Sequence, residues 1–274
     1  MVVDLPAPLG PISACRAPRC RCRLTSLVAV MPPNFFTSPW QLRTTSGPAV
    51  ACACVAAGVG KFVFSSTCAT YGDQDGVVLD EETAQHPINA YGASKLAIEQ
   101  MLGNFAASHG LRSVIFRYFN VAGADPEGDV GERHEPETHL IPLMLEAVEG
   151  KRAALTVFGA DYPTADGTCV RDYVHVTDLA DAHLRGLRWL RGGKGSRVFC
   201  LGSGTGYSVR QVIEHAGVVT NRTVPVLQGA RRAGDAAALV FGSDRAKREL
   251  GWQPERGLEV MIRDAWRWSQ GAGY

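Results

Sequence analysis

The sequence predicts an α/β fold built on a parallel sheet, with a smaller C-terminal domain, and three stretches carry that expectation. Lys61-Phe-Val-Phe-Ser-Ser66 is a short apolar run ending in hydroxyls, the pattern of a buried parallel strand. Ser113-Val-Ile-Phe-Arg-Tyr-Phe119 reads as the next strand. Between them, Leu96-Ala-Ile-Glu-Gln-Met-Leu102 reads as an amphipathic helix.

A chain of 274 residues can hold one large or two interlocked domains. Its 46% hydrophobic and 20% charged residues are ordinary for a globular protein. A net charge of +1 offers no electrostatic footprint for nucleic acid or an anionic membrane, so neither is expected as a partner. No apolar run reaches the ~18–20 residues of a membrane span. Leu27–Met31, closed by Pro32-Pro33, is too short for the core of a secretory signal. Eight scattered cysteines in a chain of this size favour a reducing cytoplasm.

Residues 1–50 differ from the rest. They contain eight of the fifteen prolines, three of the eight cysteines and one acid, Asp4. No period survives the proline spacing, so no element is expected, and the segment reads as a poorly packed or non-native start. Cys15, Cys20 and Cys22 lack both the spacing and a neighbouring His for zinc. From Ala51 the texture changes: an alanine-rich helix ends near Val59, stopped by Gly58 and Gly60. After the second strand comes a Gly/Asp/Pro-rich loop over Gly123–Glu137, then a helix over His139–Val148 and a short strand over Leu155–Phe158. Thr177 or Asp178 is placed to cap a helix over Leu179–Leu190. Arg197–Leu201 reads as a strand, and Ser208-x-x-Gln211 as a capping box for a helix through His215. Helices over 244–250 and 258–268 complete the reading.

The chemistry centres on Tyr91-Gly-Ala-Ser-Lys95, which opens the first helix. At i and i+4 a phenol and an ammonium share one helix face. With seven Tyr and five Lys, such a pair arises by chance only ~0.1 times in this chain. A phenol of pKa near 10 is a poor base at neutral pH, and lowering it by ~3 units costs ~4 kcal/mol. A nearby ammonium supplies roughly that at an effective dielectric of ~20. Ser65, Ser66 and Thr67 fall at the carboxyl end of the first strand, where active-site groups of open α/β sheets gather.

Three other stretches invite functional readings. Gly202-Ser-Gly-Thr-Gly206 lies between a strand and a helix, but Tyr207 stands where a dinucleotide loop needs its third glycine. In His134-Glu-Pro-Glu-Thr-His139, Pro136 prevents the two His from sharing a helix face, so no metal is expected there. Arg171, in the apolar stretch Thr168–Val176, must be paired or bind an anion, and Asp172 is one available partner.

Phe64-Ser-Ser-Thr-Cys-Ala-Thr-Tyr-Gly72 together with Tyr91-x-x-x-Lys95 resembles the extended short-chain dehydrogenase/reductase family, in particular its UDP-glucose 4-epimerase branch. The resemblance runs from about Cys54 to Trp268. It takes in Arg117-Tyr-Phe-Asn120, Gly128-Asp-Val-Gly131, Phe158-Gly-Ala-Asp-Tyr-Pro-Thr164, Asp178-Leu-Ala-Asp181 and Leu250-Gly-Trp252. It implies a truncated Rossmann-like sheet, with 51–120 as the remnant of an NAD-binding domain. Residues 121–274 would then be mainly a UDP-sugar domain interleaved with it. The implied function is an isomerase interconverting UDP-glucose and UDP-galactose at C4 with NAD as cofactor, and a homodimer. Cys68-Ala69 stand where dehydratase relatives carry Asp-Glu, which argues against dehydration.

Carried over by position, Thr67, Tyr91 and Lys95 are catalytic, and with Ser65, Ser66, Tyr118 and Phe119 they face the cofactor. Tyr91 takes the proton of the sugar 4-hydroxyl as hydride leaves C4, Thr67 hydrogen-bonds the same oxygen, and Lys95 holds the cofactor ribose and, together with the nicotinamide charge, lowers the Tyr91 pKa. Asn120, His139, Leu140, Thr156, Val157, Phe158, Arg171, Arg232 and Asp235 sit where the family holds the UDP-sugar. Arg171 and Arg232 fall on phosphate there and Asp235 on the uridine ribose. His139 replaces an amide-type residue, and Leu239 lies at a sugar-pocket position, which leaves a UDP-pentose epimerase as an alternative. The family opens with strand, Gly-x-x-Gly-x-x-Gly and helix, then an acid for the adenosine ribose, and residues 1–60 contain no such pattern. From that the chain as it stands is expected to hold NAD weakly and to be nearly inactive, or to persist as a non-catalytic nucleotide-sugar binder.

Overall fold

The computed structural model describes residues 27–29, 47–74, 78–232 and 235–271. The chain begins with β1 (Leu27–Ala29), α1 (Gly47–Ala56), β2 (Lys61–Ser65), β3 (Val78–Leu79), α2 (Ala90–His109), β4 (Arg112–Tyr118) and β5 (Asn120–Ala122). It continues through α3 (Leu140–Glu149), β6 (Leu155–Phe158), β7 (Val170–Arg171), β8 (Tyr173–His175), α4 (Val176–Arg191) and β9 (Arg197–Leu201). Last come β10 (Tyr207–Ser208), α5 (Val209–Thr220), β11 (Val226–Gly229), β12 (Ala238–Phe241), α6 (Asp244–Leu250) and α7 (Leu258–Gly271).

The main sheet runs β1-β2-β4-β9 with every pair parallel. Its central strands are buried on both faces, which is why β2 and β4 read as continuous apolar runs. On one face Ala51 of α1 and Ile98 and Leu102 of α2 pack against Phe62, Phe64 and Ile115. On the other, Leu179, Ala182 and Leu190 of α4 cover Val63, Val114, Phe116 and Phe199. The expected α/β class with parallel sheet is what the chain adopts. A separate core, built from α3, α5, α7 and the parallel pair β6–β11, holds Ile141, Met144, Leu155, Val212, Met261 and Ile262.

Two elements depart from the expectation for residues 1–50. Leu27–Ala29 joins the sheet beside β2, and α1 starts at Gly47. Here pairing with a preformed strand outweighs a local sequence that prolines make irregular. The remainder of that segment, including Cys15, Cys20 and Cys22, lies outside the described residues. The α4 cap also differs: His175 Nδ1 accepts from the Thr177 N–H at 3.0 Å. Asp178 instead accepts from the backbone of Glu255 and Arg256 and from the Arg256 guanidinium, tying α4 to the entry of α7. The capping box at Ser208 and Gln211 forms as read, and α5 continues past His215 to Thr220. No helix among the described residues is long and apolar enough to cross a membrane.

Candidate active site

The carboxyl ends of β2 and β4 open into a cleft of about 1080 Å³. Asn89 starts α2 at this edge by accepting from the Gly92 N–H at 2.8 Å. Gly92 then lies against the turn at Cys68–Thr70, where a Cβ would come within 2.1 Å of the Ala69 carbonyl oxygen. Only a glycine permits that approach, and it sets Tyr91, one residue earlier, beside Thr67. The Thr67 hydroxyl hydrogen-bonds the Tyr91 phenol and accepts from the Ala69 N–H at 3.2 Å. Thr67, Tyr91, Tyr118, Phe119, Asn120, His139 and Leu140 all line the cleft.

Lys95, Ser65 and Ser66 sit beneath this surface, 1–2% exposed. Lys95 Nζ donates to the Ser65 carbonyl at 2.9 Å. Ser65 Oγ lies 2.9 Å from His183 Nε2, and the Ser66 hydroxyl donates to Glu99. These two serines were expected at the cofactor; in the structure their hydroxyls are hydrogen-bonded to His183 and Glu99. Glu99 in turn pairs with Arg117 of β4 at 2.6 Å, and Arg117 Nη1 donates to the Tyr71 hydroxyl at 2.7 Å. This buried ion pair joins α2, β4 and the end of β2 behind the phenol. Glu99 stands four residues after Lys95, so Tyr91, Lys95 and Glu99 form one helical stripe that the spacing alone could have revealed.

The coupling of Lys95 to Tyr91 was expected with the nicotinamide charge in place, and in the chain alone other groups act on the phenol. Burial pushes the phenol up, and the Thr67 hydroxyl, not Lys95, acts in the lowering sense. The ammonium is turned to the Ser65 carbonyl, 5.7 Å from the centre of the Tyr91 ring. Burial pulls Lys95 itself down to about 8, against the raising effect of Glu99. Below that pH the ammonium is charged in folded and unfolded chains alike, and its desolvation cost is fully present. Between about 8 and 10.5 only the unfolded chain holds the proton, so stability rises with pH there. Relative to Lys95→Met, the wild-type chain is therefore expected to gain up to about 3 kcal/mol across that window, read from urea midpoints at its two ends. A difference that does not move with pH would show Lys95 to be solvated. Cys68, also in the cleft, is pushed up to about 12 by burial and is no thiolate nucleophile.

The residues assigned to the nucleotide gather elsewhere. Arg232 lies 3.9 Å over the Phe158 ring, and Thr156 and Val157 precede Phe158 on β6. The Val157 side chain is buried in the second core, which leaves only its backbone for the contact expected of it. Arg171 donates to the carbonyls of Val170 and Ala236 at 2.9 and 2.8 Å and lies 3.6 Å from Asp235. Its partner is thus Asp235, not the adjacent Asp172, and Asp235 is engaged by Arg171 before any ribose. Arg171 does not itself line the cleft. Leu239 packs with Phe119 against Tyr71 and Phe241.

Asp172 has a different use. Its carboxylate accepts from the N–H groups of Tyr173, Ser203, Gly204 and Phe241, and from the Ser203 hydroxyl. Two N–H groups of the glycine loop at 202–206, those of Ser203 and Gly204, are thus spent on this buried acid, and Gly202 is required because a Cβ would meet Asp172 Oδ2 at 2.6 Å. Sequence reasoning also separated His134 from His139. The loop between β5 and α3 nevertheless gathers both with Glu132 and Glu137 on the cleft wall. The Glu132 carboxylate, accepting from the His139 imidazole, outweighs burial and holds His139 above its usual range.

Residues 42–202 match the family model described as the NAD dependent epimerase/dehydratase family. Over 216 residues the chain is 50% identical to a UDP-glucose 4-epimerase of Rhizobium meliloti, covering 79% of this chain and 66% of that relative. The chain thus spans just under two thirds of the curated relatives it matches. A UDP-glucose 4-epimerase from Brucella ovis, solved in complex with NAD, superimposes with a TM-score of 0.78 at 44% identity, over 80% of this chain and 68% of that one. One from Bifidobacterium longum, solved with NAD+ and UDP, gives 0.78 at 34% identity, over 82% and 68%. By this match, which takes in β2, α2 and β4 with Thr67, Tyr91 and Lys95, the chain belongs to the NAD dependent epimerase/dehydratase family.

Proposed function

We propose that the chain carries the proton-transfer and sugar-nucleotide parts of an NAD-dependent UDP-glucose 4-epimerase. The observation that carries this reading is the Tyr91 phenol, held by the Thr67 hydroxyl at the carboxyl edge of a parallel sheet and facing a cleft. The residues fit the nicotinamide end of NAD: Tyr91, Thr67, Tyr118 and Phe119 converge there from β2, β4 and α2, with Lys95 directly beneath. When bound, NAD supplies an acceptor for the C4 hydride that can return it to either face of the sugar.

The chain's own residues do the rest. Tyr91 accepts the 4-hydroxyl proton and later gives it back. Thr67 donates to the phenol oxygen of Tyr91 and so favours its charged form. Burial excludes water, while Glu99 and Arg117 hold the start of α2 against the sheet. Arg171 and Arg232 supply guanidinium forks for the diphosphate, and Asn120, His139 and Leu140 line the wall of the sugar site. The homologues' name favours hexose over the pentose alternative, and a homodimer follows from the family resemblance.

Arg171→Ala is expected to raise the dissociation constant for UDP by ~10-fold or more, because a charge-assisted bond is worth ~1.5–3 kcal/mol. Asp235, released from its partner, adds repulsion in the same direction. Calorimetric titration of UDP into the chain reads this without turnover. An unchanged constant would reduce Arg171 to a brace for the Val170 and Ala236 carbonyls.

A further inference from the structure

We propose that Glu132, His134, Glu137 and His139 form a binding site for a zinc-class divalent cation on the wall of the cleft. Each offers one donor atom, and the four atoms lie within 4.8 Å of one another. His134 Nδ1 is 3.0 Å from Glu132 Oε1 and 3.5 Å from Glu137 Oε2. His139 Nδ1 touches Glu132 Oε1 and is 3.6 Å from Glu137 Oε1. Tetrahedral zinc with nitrogen and oxygen ligands at ~2.0–2.1 Å needs donors roughly 3.3 Å apart; the contacts at 3.0, 3.5 and 3.6 Å bracket that spacing, while the His139–Glu132 pair is closer and would part to admit an ion.

The donor chemistry selects the ion. Two imidazole nitrogens with two carboxylates suit zinc and its transition-metal neighbours, whereas magnesium and calcium call for oxygen alone. Two carboxylates also balance a divalent charge in a part-buried place. His134 Nδ1 strengthens the assignment: it is shielded from solvent and within reach of both carboxylates, yet makes no aligned hydrogen bond. Glu137 Oε1 is fixed by the N–H groups of Thr138 and His139 at 2.6 and 2.8 Å, which orients the carboxylate as an outer shell orients a ligand. The loop reaches this arrangement without a helix, so the proline that rules out a shared helix face does not rule out a shared ion.

The test uses the full chain with its thiols alkylated, so that cysteines cannot compete, titrated calorimetrically with zinc chloride and separately with magnesium chloride. One equivalent of zinc and no magnesium is the expected result. His134→Ala and Glu132→Gln should each weaken zinc by at least the ~10–100-fold that loss of an outer-shell partner costs, with near-ultraviolet circular dichroism unchanged. The second variant keeps the side-chain shape, so weakening in it does not trace to misfolding. Absence of zinc uptake by the parent chain, or uptake undiminished in both variants, would overturn the site. The readout is metal uptake, so it stands apart from the epimerase reading.

Discussion

Replacing Tyr91 by Phe is expected to cut turnover by ~10²–10⁴ while leaving affinity for UDP-sugar nearly unchanged. Phe preserves the ring that packs at the start of α2 and removes only the oxygen that takes the proton. Thr67 remains, but an alkyl hydroxyl is a far weaker acid than a phenol, so it cannot supply the anion that takes the proton, and it already accepts from the Ala69 N–H. The measurement is conversion of UDP-galactose with NAD in excess. It is made on a fusion that places a relative's dinucleotide-binding segment ahead of residue 51, beside UDP titration of the same protein. Retained turnover in Tyr91→Phe would remove the phenol from the mechanism. Loss of UDP binding along with turnover would instead assign Tyr91 to the shape of the cleft.

Glu99→Ala is expected to destabilise the fold by about 3–5 kcal/mol, the cost of leaving one member of a buried ion pair alone. The Arg117 guanidinium would remain in the core with Tyr71 and Gln85 as its only described polar partners. Burial alone would pull Arg117 down; the Glu99 hydrogen bonds and charge hold it above its usual value. The double replacement Glu99→Met with Arg117→Met should recover much of the loss, since apolar side chains of similar volume need no partner. Urea unfolding of the single and double variants gives the comparison. A single variant within ~1 kcal/mol of the parent would show that water reaches the pair.

Much of the main sheet was legible because burial on both faces writes itself as a continuous apolar run, as in β2 and β4. The start of α2 was legible from Tyr91 and Lys95, since two functional groups on one helix face carry their own spacing. Short strands such as β7 and β8 have too few residues to show a period, and β1 depends on the sheet it joins. Pairing across the chain was hidden as well. Arg171 meets Asp235 rather than its neighbour Asp172, because β7 lies beside β12. Successive residues of a strand point to opposite sides, so adjacency in sequence argued for the wrong partner. The group at 132–139 was missed for a related reason. A loop can converge four side chains with no periodic signal, and the proline test excluded only a helix.

The central claim is that C4 of a nucleotide sugar loses and regains hydride in the cleft beside Tyr91 and Thr67. UDP-galactose carrying deuterium at C4, incubated with the fusion protein and NAD in ordinary water, tests it directly. Hydride held within the site returns to the carbon it left, so the UDP-glucose formed should retain its deuterium at C4, as read by proton NMR. Product with hydrogen from solvent at C4, or no inversion at C4 by a fusion that binds both NAD and UDP, would contradict the account.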